Sequence, residues 1–381
     1  MSKFMNTTNI NVLYIITKLE LGGAQKVCLS LVRGLQKAGA NAILISGTQG
    51  KLVNQAKELS NVILIDNLKR EISFNLLFHE IKSFIILIKQ IRKLKKIYPN
   101  LIVHTHSTKA GIIGRWAALF AGIKIRIHTI HGYAFHSHQN KIKWAIIYIF
   151  ELFASVITTH FVCVSSEDVK TGIKLFPKFS KKYSIIRAAV DYNKFAKFNV
   201  ATKTNDQKFI FGTVACFKKQ KNLFDLLKAF EIAHTKNKNC FLEIIGDGDL
   251  RNEIEQWIAE HNIQHNVTLH GWQHNVAEIM LNWNAFVLSS LWEGLPCAVI
   301  EARLLKLPVL AYNTGGIHDV IIQGKNGFLY QQGDWQEMAN GMLKILDDKN
   351  LYQNLQNYTE DLTEFHNAKM VKKHIELYQK L

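Results

Sequence analysis

AFVLSSLWEGLPCAVIEARLLKLPVLAYNTGG, residues 285–316, decides the fold. Ala285–Leu288 is an apolar run of strand length, and it ends at Ser289 and Ser290. A short loop then carries Trp292, Glu293 and Gly294, and Pro296 opens a helix. Proline suits the first helical turn, where its missing N–H is not needed. Pro308 stops that helix, and Val309–Tyr312 follows at once as the next strand. The segment is therefore one strand–loop–helix–strand unit of a parallel sheet.

Two carboxylates mark this unit, Glu293 just before the helix and Glu301 eight positions on. A helix N-terminus offers N–H groups and a partial positive charge, which suit a phosphate. An ionised carboxylate only accepts hydrogen bonds, so it suits hydroxyls. Together they fit a ligand bearing phosphates and sugar hydroxyls, a sugar nucleotide. The spacing alone also fits a solvated loop glutamate and a charge on an exposed helix face.

The run E-G-L-P, then E-A, L-P-V and a G-G turn, resembles the donor-site signature of the retaining glycosyltransferases of family four. The resemblance implies that Glu293 contacts donor sugar hydroxyls and Glu301 the nucleotide ribose, with Gly294, Leu295 and Pro296 completing the donor site. The family pattern often has Glu after the glycine pair, where this chain has Asp319.

The chain has 381 residues, enough for two ordinary domains. Its 48% hydrophobic content is that of a globular protein, and 4 prolines leave little room for long disordered tracts. Five cysteines without a CxxC pair point to reduced thiols in a cytosolic compartment and against a zinc site. The polar N-terminus, MSKFMNTTNI, shows no secretory signal. Trp144–Val164 is long and apolar enough to span a bilayer, but Glu151, Thr158, Thr159 and His160 interrupt it, and a buried helix followed by a strand is the expectation. Residues 1–195 hold 28 Lys+Arg against 9 Asp+Glu, while the remainder holds 19 against 21. Such a split points to an anionic partner for the first half, either nucleic acid or an acidic membrane surface.

Asn11–Ile16 reads as the first strand, followed by Gly22, Gly23 and a helix. Glycine lets backbone approach a ligand closely, and this is not a GxGxxG fingerprint, so a dinucleotide oxidoreductase gains no support. A plain tight turn fits the pattern equally. The resemblance implies that Gly22 and Gly23 lie near the donor diphosphate and the acceptor, with Gln25 where the family has Glu. Leu76–Ile97 reads as a long helix with an apolar face (Ile81, Phe84, Ile85, Ile88, Ile91, Leu94) opposite a basic one (Lys82, Lys89, Arg92, Lys93, Lys95, Lys96). Such a helix either lies on an anionic membrane or packs on a sheet with its basic face solvated. Histidines close the strands at Ile102–His106 and Ile125–Thr129, where α/β sheets bind ligands. His104, His106 and His128 are expected to be structural. The HTIHG segment resembles the family motif whose histidine contacts the transferred sugar, which implies that role for His131.

Residues 196–207 are polar and aperiodic and read as the linker. After the strand Phe209–Ala215 comes a loop with Lys218, Lys219 and Lys221, where a lysine can neutralise a diphosphate or simply be solvated. Lys221 matches the family's lysine, whereas Cys216 falls where its arginine stands, which leaves Lys218 or Lys219 to compensate. The G-D-G at 246–248 is expected to be a tight turn with glycines at positive φ, not a metal site. The last segment, 367–381, is an amphipathic helix, which in the family crosses back onto the first domain.

The fold class expected is α/β. The resemblance specifies the GT-B fold, with two facing doubly wound Rossmann-like domains: 1–195 with 367–381 for the acceptor, and 208–366 for the nucleotide sugar. It implies transfer of a hexose or N-acetylhexosamine from a nucleotide sugar, expected to be UDP-linked, to a saccharide or lipid-linked acceptor with retention. Surface polysaccharide or lipopolysaccharide biosynthesis is the expected setting. His131, Glu293 and Lys221 are the expected catalytic positions, with no metal, no cofactor and no assigned nucleophile. The basic first half implies an anionic membrane surface as partner, at the cytoplasmic face, and no nucleic acid. A nucleotide-sugar 2-epimerase of the same fold and a non-catalytic protein that binds anions or nucleic acid are the alternatives.

Overall fold

The computed structural model describes residues 7–66, 68, 77–198 and 208–381. The described residues up to Ala189 form one compact unit with Thr363–Leu381, and Val190–Leu362 form a second. The division falls six residues ahead of the expected boundary at Phe195, and the turn Thr363–Phe365 goes with the C-terminal helix. Of the expected linker, residues 199–207 lie outside the described residues, as does Leu76 of the long basic helix.

The first unit holds strands β1 (Asn11–Ile15), β2 (Asn41–Ser46), β3 (Val62–Leu64), β4 (Ile102–His106), β5 (Arg126–Ile130), β6 (His160–Cys163) and β7 (Tyr183–Ile185). Its helices are α1 (Gly23–Lys37), α2 (Val53–Lys57), α3 (Leu77–Ile97), α4 (Thr108–Phe120), α5 (Lys141–Ile157) and α6 (Ser166–Leu175). The second unit opens with α7 (Tyr192–Ala196) and holds β8 (Phe209–Val214), β9 (Cys240–Ile245), β10 (Val267–Gly271), β11 (Ala285–Leu288), β12 (Val309–Tyr312) and β13 (Gly327–Tyr330). Between and after these strands run α8 (Leu223–Lys236), α9 (Arg251–Glu260), α10 (Val276–Met280), α11 (Cys297–Leu304), α12 (Trp335–Asp347) and α13 (Lys349–Asn357). The final helix, α14 (Asn367–Lys380), returns to the first unit.

Strand order is β3-β2-β1-β4-β5-β6-β7 in the first sheet and β10-β9-β8-β11-β12-β13 in the second, and neighbouring strands run parallel throughout. Helices cover both faces of such sheets, so strands such as Val12–Ile15 and Ala285–Leu288 are apolar without alternation and fully buried. In each sheet the chain builds outward one way and then crosses to the other side of its first strand. That reversal makes a switch point between β1 and β4, and another between β8 and β11.

The apolar segment Trp144–Val164 is a helix, α5, followed by strand β6, but the helix is not the buried one expected: Ile146, Ile149, Phe150, Phe153 and Val156 are exposed. Its Glu151 is buried against Arg115 of α4, whose Nη2 donates to Oε2 at 2.6 Å. Arg115 also donates to the Gly111 carbonyl (2.7 Å) and the Thr158 hydroxyl (2.9 Å). Among the described residues, no helix is long and apolar enough to cross a membrane.

Helix α3 turns most of the expected face inward, with Phe84 and Ile88 packed on the core beside Ile91 and Leu94, but it is rotated relative to the sequence reading. Ser83, Leu87, Ile91 and Leu94 are buried, while Ile81 and Ile85 are 49% and 46% exposed. The orientation is fixed partly by residues expected to be solvated. Arg92 donates to the Phe120 carbonyl and Lys95 to the Gly122 carbonyl, each at 2.9 Å, lashing α3 to the end of α4. The G-D-G turn is also only half as expected. Gly246 has φ of +135°, but Gly248 is needed for close approach, since a Cβ there would sit 2.6 Å from the Phe217 carbonyl oxygen.

Helix α14 is tied down by polar groups as well as apolar ones. Ser30 of α1 donates to Asn367 at 2.9 Å. The Tyr378 hydroxyl bonds the Tyr14 hydroxyl and lies 2.6 Å from His104 Nδ1, and His104 Nε2 lies 2.7 Å from the Thr129 hydroxyl. His374 Nδ1 donates to the Met370 carbonyl at 2.9 Å. Burial holds His104, His106 and His128 well below the ordinary imidazole range and His374 down at about 4, so all are neutral in the fold.

Two predictions follow from these buried groups. Glu151→Ala leaves the Arg115 guanidinium buried without its counter-charge and should cost about 3–5 kcal/mol in urea unfolding, whereas Arg115→Met with Glu151→Leu should recover most of that loss. Histidines whose folded pKa is depressed contribute stability that is complete above about pH 6.5 and is lost as pH falls toward about 4. Each adds a slope of about 1.4 kcal/mol per pH unit in that window. Tm should therefore fall steadily from pH 7 to pH 5, and His374→Gln should shallow the slope; a flat profile over that range would refute the neutral cluster.

Candidate active site

In the second unit, the loops leaving β8 and β11 stand side by side because their strands are neighbours. Ser289 holds them together, its hydroxyl lying 2.9 Å from the carbonyls of both Lys221 and Asn222. Gln220 adds two more ties, its Nε2 donating to the Trp292 carbonyl (2.7 Å) and its own carbonyl accepting from Leu291 N–H (2.8 Å). These bonds deliver Lys221 onto Glu293, and the two side chains form an ion pair that is 18% and 9% exposed. Lys218 and Lys219 point out to solvent, and Cys216 is half-buried.

Helix α11 starts at Cys297, one residue later than the sequence suggests. Pro296 is its N-cap, with φ −74° and ψ 111°, because the chain is still extended where the loop enters the helix. No side chain caps the helix, and its first turn carries no carboxylate. The positive end of its dipole is thus left for an anion. Gly294, Leu295 and Pro296 are buried at this entry. The loop after β12 braces them: Gly316 N–H donates to the Gly294 carbonyl at 2.5 Å, and Gly315 adopts φ of +54°. A Cβ on Gly315 would sit 2.1 Å from the Glu293 carbonyl oxygen, so that position requires glycine.

Glu301 is half-buried within α11. Its neighbour Arg303 was not singled out in the sequence, yet it fixes the helix. Arg303 is buried, grips Glu360 with two bonds (2.6 and 3.1 Å), and donates to the Leu307 carbonyl at 2.7 Å. Glu360 lies too far along the chain for any local pattern to reveal the pair. Also missed were Thr213 of β8 and Ser290 after β11, whose buried hydroxyls have no partner among the described residues. Each such orphan costs about 1–3 kcal/mol until something bonds it. Asp247 is ion-paired with Arg251 at 3.2 Å.

In the first unit, His131 follows β5 and is half-buried. The sequence offered no partner for it. The structure supplies His106, at the end of β4, whose Nδ1 lies 2.9 Å from His131 Nε2. Burial, then the neighbouring His374, brings His131 down to about 4, so near pH 7 it is a neutral imidazole with one donor and one acceptor nitrogen. Gly22 is the extended N-cap of α1 and Gly23 its first residue, after β1 and at the switch point with β4. No side chain caps α1, and no carboxylate lies in its first turn. Across the crevice Ser107, N-cap of α4, has φ of 66° and ψ of 154°. That region is normally glycine's, and such strain, of order 1–3 kcal/mol, collects at functional sites.

The second unit gathers Lys221, Glu293 and the entry to α11 at its switch point, while in the first Gly22 and Gly23 lie at the switch point and His131 in the loop after β5, bonded to His106. The second unit can thus hold an anion and read hydroxyls with a carboxylate. The first offers close backbone approach and a neutral imidazole.

Residues 21–194 match Glycosyltransferase Family 4, and residues 194–362 match Glycosyl transferases group 1. The UDP-Gal:alpha-D-GlcNAc-diphosphoundecaprenol alpha-1,3-galactosyltransferase of Escherichia coli is 32% identical over 86% of this chain and 86% of its own length. The capsular polysaccharide biosynthesis glycosyltransferase CapM of Staphylococcus aureus is 28% identical over 85% of this chain and 86% of its own. Among solved structures, Anabaena Alr3699/HepE in complex with UDP and glucose superposes with a TM-score of 0.80 at 15% identity, covering 98% of this chain and 100% of that one. Sucrose-phosphate synthase from Thermosynechococcus elongatus superposes at 0.78 and 18% identity, covering 97% and 98%. The reading as a non-catalytic anion-binding protein falls away. Matched along both halves in order, and built from two parallel sheets of the GT-B type, the chain belongs to glycosyltransferase family 4 and is a glycosyltransferase.

Proposed function

We propose that this glycosyltransferase moves a hexose or N-acetylhexosamine from a UDP-sugar to a lipid-linked saccharide, with retention of configuration, in surface polysaccharide or lipopolysaccharide biosynthesis. The observation that carries the reading is the Lys221–Glu293 pair beside the uncapped start of α11. A donor diphosphate seated there meets Lys221 and the helix dipole, which stabilise the negative charge that develops on the leaving group. Glu293 then accepts from hydroxyls of the transferred sugar and Glu301 from those of the ribose. Ser290 and Thr213 gain partners from the ligand or the water it orders. Neutral His131, oriented by His106, bonds the transferred sugar, and Gly22 and Gly23 admit the diphosphate and acceptor to close backbone contact. Because Lys221 and the α11 terminus supply positive charge, the reading requires no bound metal or cofactor. It assigns no nucleophile, and the Glu293–Glu301 pair is not a hydrolase acid–base pair.

The UDP donor is supported by the UDP-Gal named for the Escherichia coli relative and by the UDP complexes of the Anabaena structures. The diphosphoundecaprenol acceptor named for the same relative supports a lipid-linked acceptor here. The basic first unit supports work at the cytoplasmic face of an anionic membrane.

A panel of nucleotide sugars, followed by thermal shift, tests the donor. One UDP-sugar should raise Tm by mass action. Glu301→Ala and Lys221→Met should each weaken its Kd by about ten- to a hundred-fold, the loss of a charged hydrogen bond worth about 1.5–3 kcal/mol. Product analysis by NMR separates transfer to an acceptor from acceptor-free change at the sugar's C2, which would mark a 2-epimerase. Stabilisation by the same sugar in both variants would overturn the site assignment.

A further inference from the structure

Helix α5 is apolar on the wrong side. Glu151, Ala154 and Ser155 are buried, and Trp144, Tyr148 and Leu152 pack against the cluster around Phe135 and Phe176. The outward face should then be polar. Instead it carries Ile142, Ile146, Ile149, Phe150, Phe153 and Val156, each between 44% and 71% exposed. Their spacing follows the helical repeat, so they form one continuous stripe about 21 Å long. A contiguous exposed apolar surface of this size marks an interaction site.

The charge around the stripe indicates what covers it. From residue 120 to residue 150 the chain has four Lys and Arg (Lys124, Arg126, Lys141, Lys143) and no Asp or Glu. Lys141 and Lys143 are exposed at the start of α5. At its other end Lys182 donates to the carbonyls of Ser155 and Thr158 (2.6 and 2.8 Å), and Lys124 is exposed next to Arg126, which donates to the Ile157 carbonyl at 2.7 Å. Glu151, the one carboxylate on α5, is buried against Arg115. A second copy docking through this face would bring the same cations together, and a nucleic acid would leave the stripe in water. An apolar stripe within a cationic rim matches acyl chains beneath anionic headgroups. The helix is too short to span, so it lies in the plane of the interface.

We infer that α5 is a membrane-docking helix, seated in an anionic bilayer through Ile142, Ile146, Ile149, Phe150, Phe153 and Val156 and held there by the surrounding lysines. This deepens, and rests on, the reading of a lipid-linked acceptor. It places the apolar part of the membrane contact on α5, apart from the basic face of α3.

Flotation of the full chain with phosphatidylcholine vesicles, with and without phosphatidylglycerol, tests it. The wild type should float with the anionic vesicles and keep part of its binding at high salt, because apolar insertion is not screened. Phe150→Glu with Phe153→Glu should lower binding roughly ten-fold or more while Tm and donor-induced stabilisation stay at wild-type values. Glu301→Ala should float like the wild type, so a failed donor assignment and a failed docking surface give different results. Equal flotation of the double variant, no wild-type binding to anionic vesicles, or a vesicle-free dimer abolished by the double variant would each overturn the inference, the last in favour of a second copy.

Discussion

A parallel sheet cannot close the gap where its strand order reverses. At β8 and β11, as at β1 and β4, the chain leaves adjacent strands for opposite faces, and the loops must part. Everything at the candidate donor site follows from managing that gap. Ser289 and Gln220 stitch the two loops together, Gly315 lets a third loop press on Glu293, and Arg303 pins α11 from behind through Glu360. The outcome is a lysine and a glutamate held against each other beside a helix end that no side chain caps. In the absence of a ligand each is the other's partner. A ligand carrying both phosphate and hydroxyl can engage both at once, which is the physical content of a sugar-nucleotide site.

Much of this was legible in the chain, for reasons that differ by element. Doubly buried parallel strands are mostly apolar, so Ala285–Leu288 and Val309–Tyr312 coincide with the observed strands, as do Cys240–Ile245 around Glu243 and Ile102–His106, which starts apolar and ends in histidines. Strand β13 escaped because Gly327–Tyr330 is short and half-buried, with no run to announce it. Helices α9 and α13 escaped for the opposite reason, since most of their residues face solvent and their apolar faces are narrow. The loop residues Lys221, Glu293 and His131 were legible through a resemblance, not through spacing. What holds them was not: Ser289, Arg303 and His106 act through tertiary contacts across long stretches of sequence, which no local pattern encodes.

The two misjudged surfaces share a cause. Periodicity tells which residues of a helix lie on one side, but packing decides which side faces in. On α3 the apolar residues outnumber the places available against the sheet, and bonds from Arg92 and Lys95 to the end of α4 select the buried set. Ile81 and Ile85 are left outside as a consequence. On α5 the excess is larger, and its sequence resembles a membrane span because both faces are apolar while only one meets the fold. The same hydropathy can mean spanning, burial or interfacial docking. Length rules against the first, and exposure divides the second from the third.

The histidines show how the last helix bears on the candidate site of the first unit. Imidazoles line up from β4 into the loop after β5, with His104 and His106 centred 4.8 Å apart and His106 and His131 5.2 Å apart. His104 is bonded to Tyr378 and stacks near His374, both on α14. Burial keeps the row neutral, and two adjacent neutral imidazoles share a hydrogen bond only when one donates and the other accepts. Whichever nitrogen of His106 holds the proton therefore fixes which nitrogen of His131 is the donor. His104 is packed against α14, so a helix more than 230 residues downstream of His131 in the chain backs the far end of the row. This accounts in physical terms for a C-terminal helix that belongs to the first unit: it closes the back of the histidine row that ends at His131.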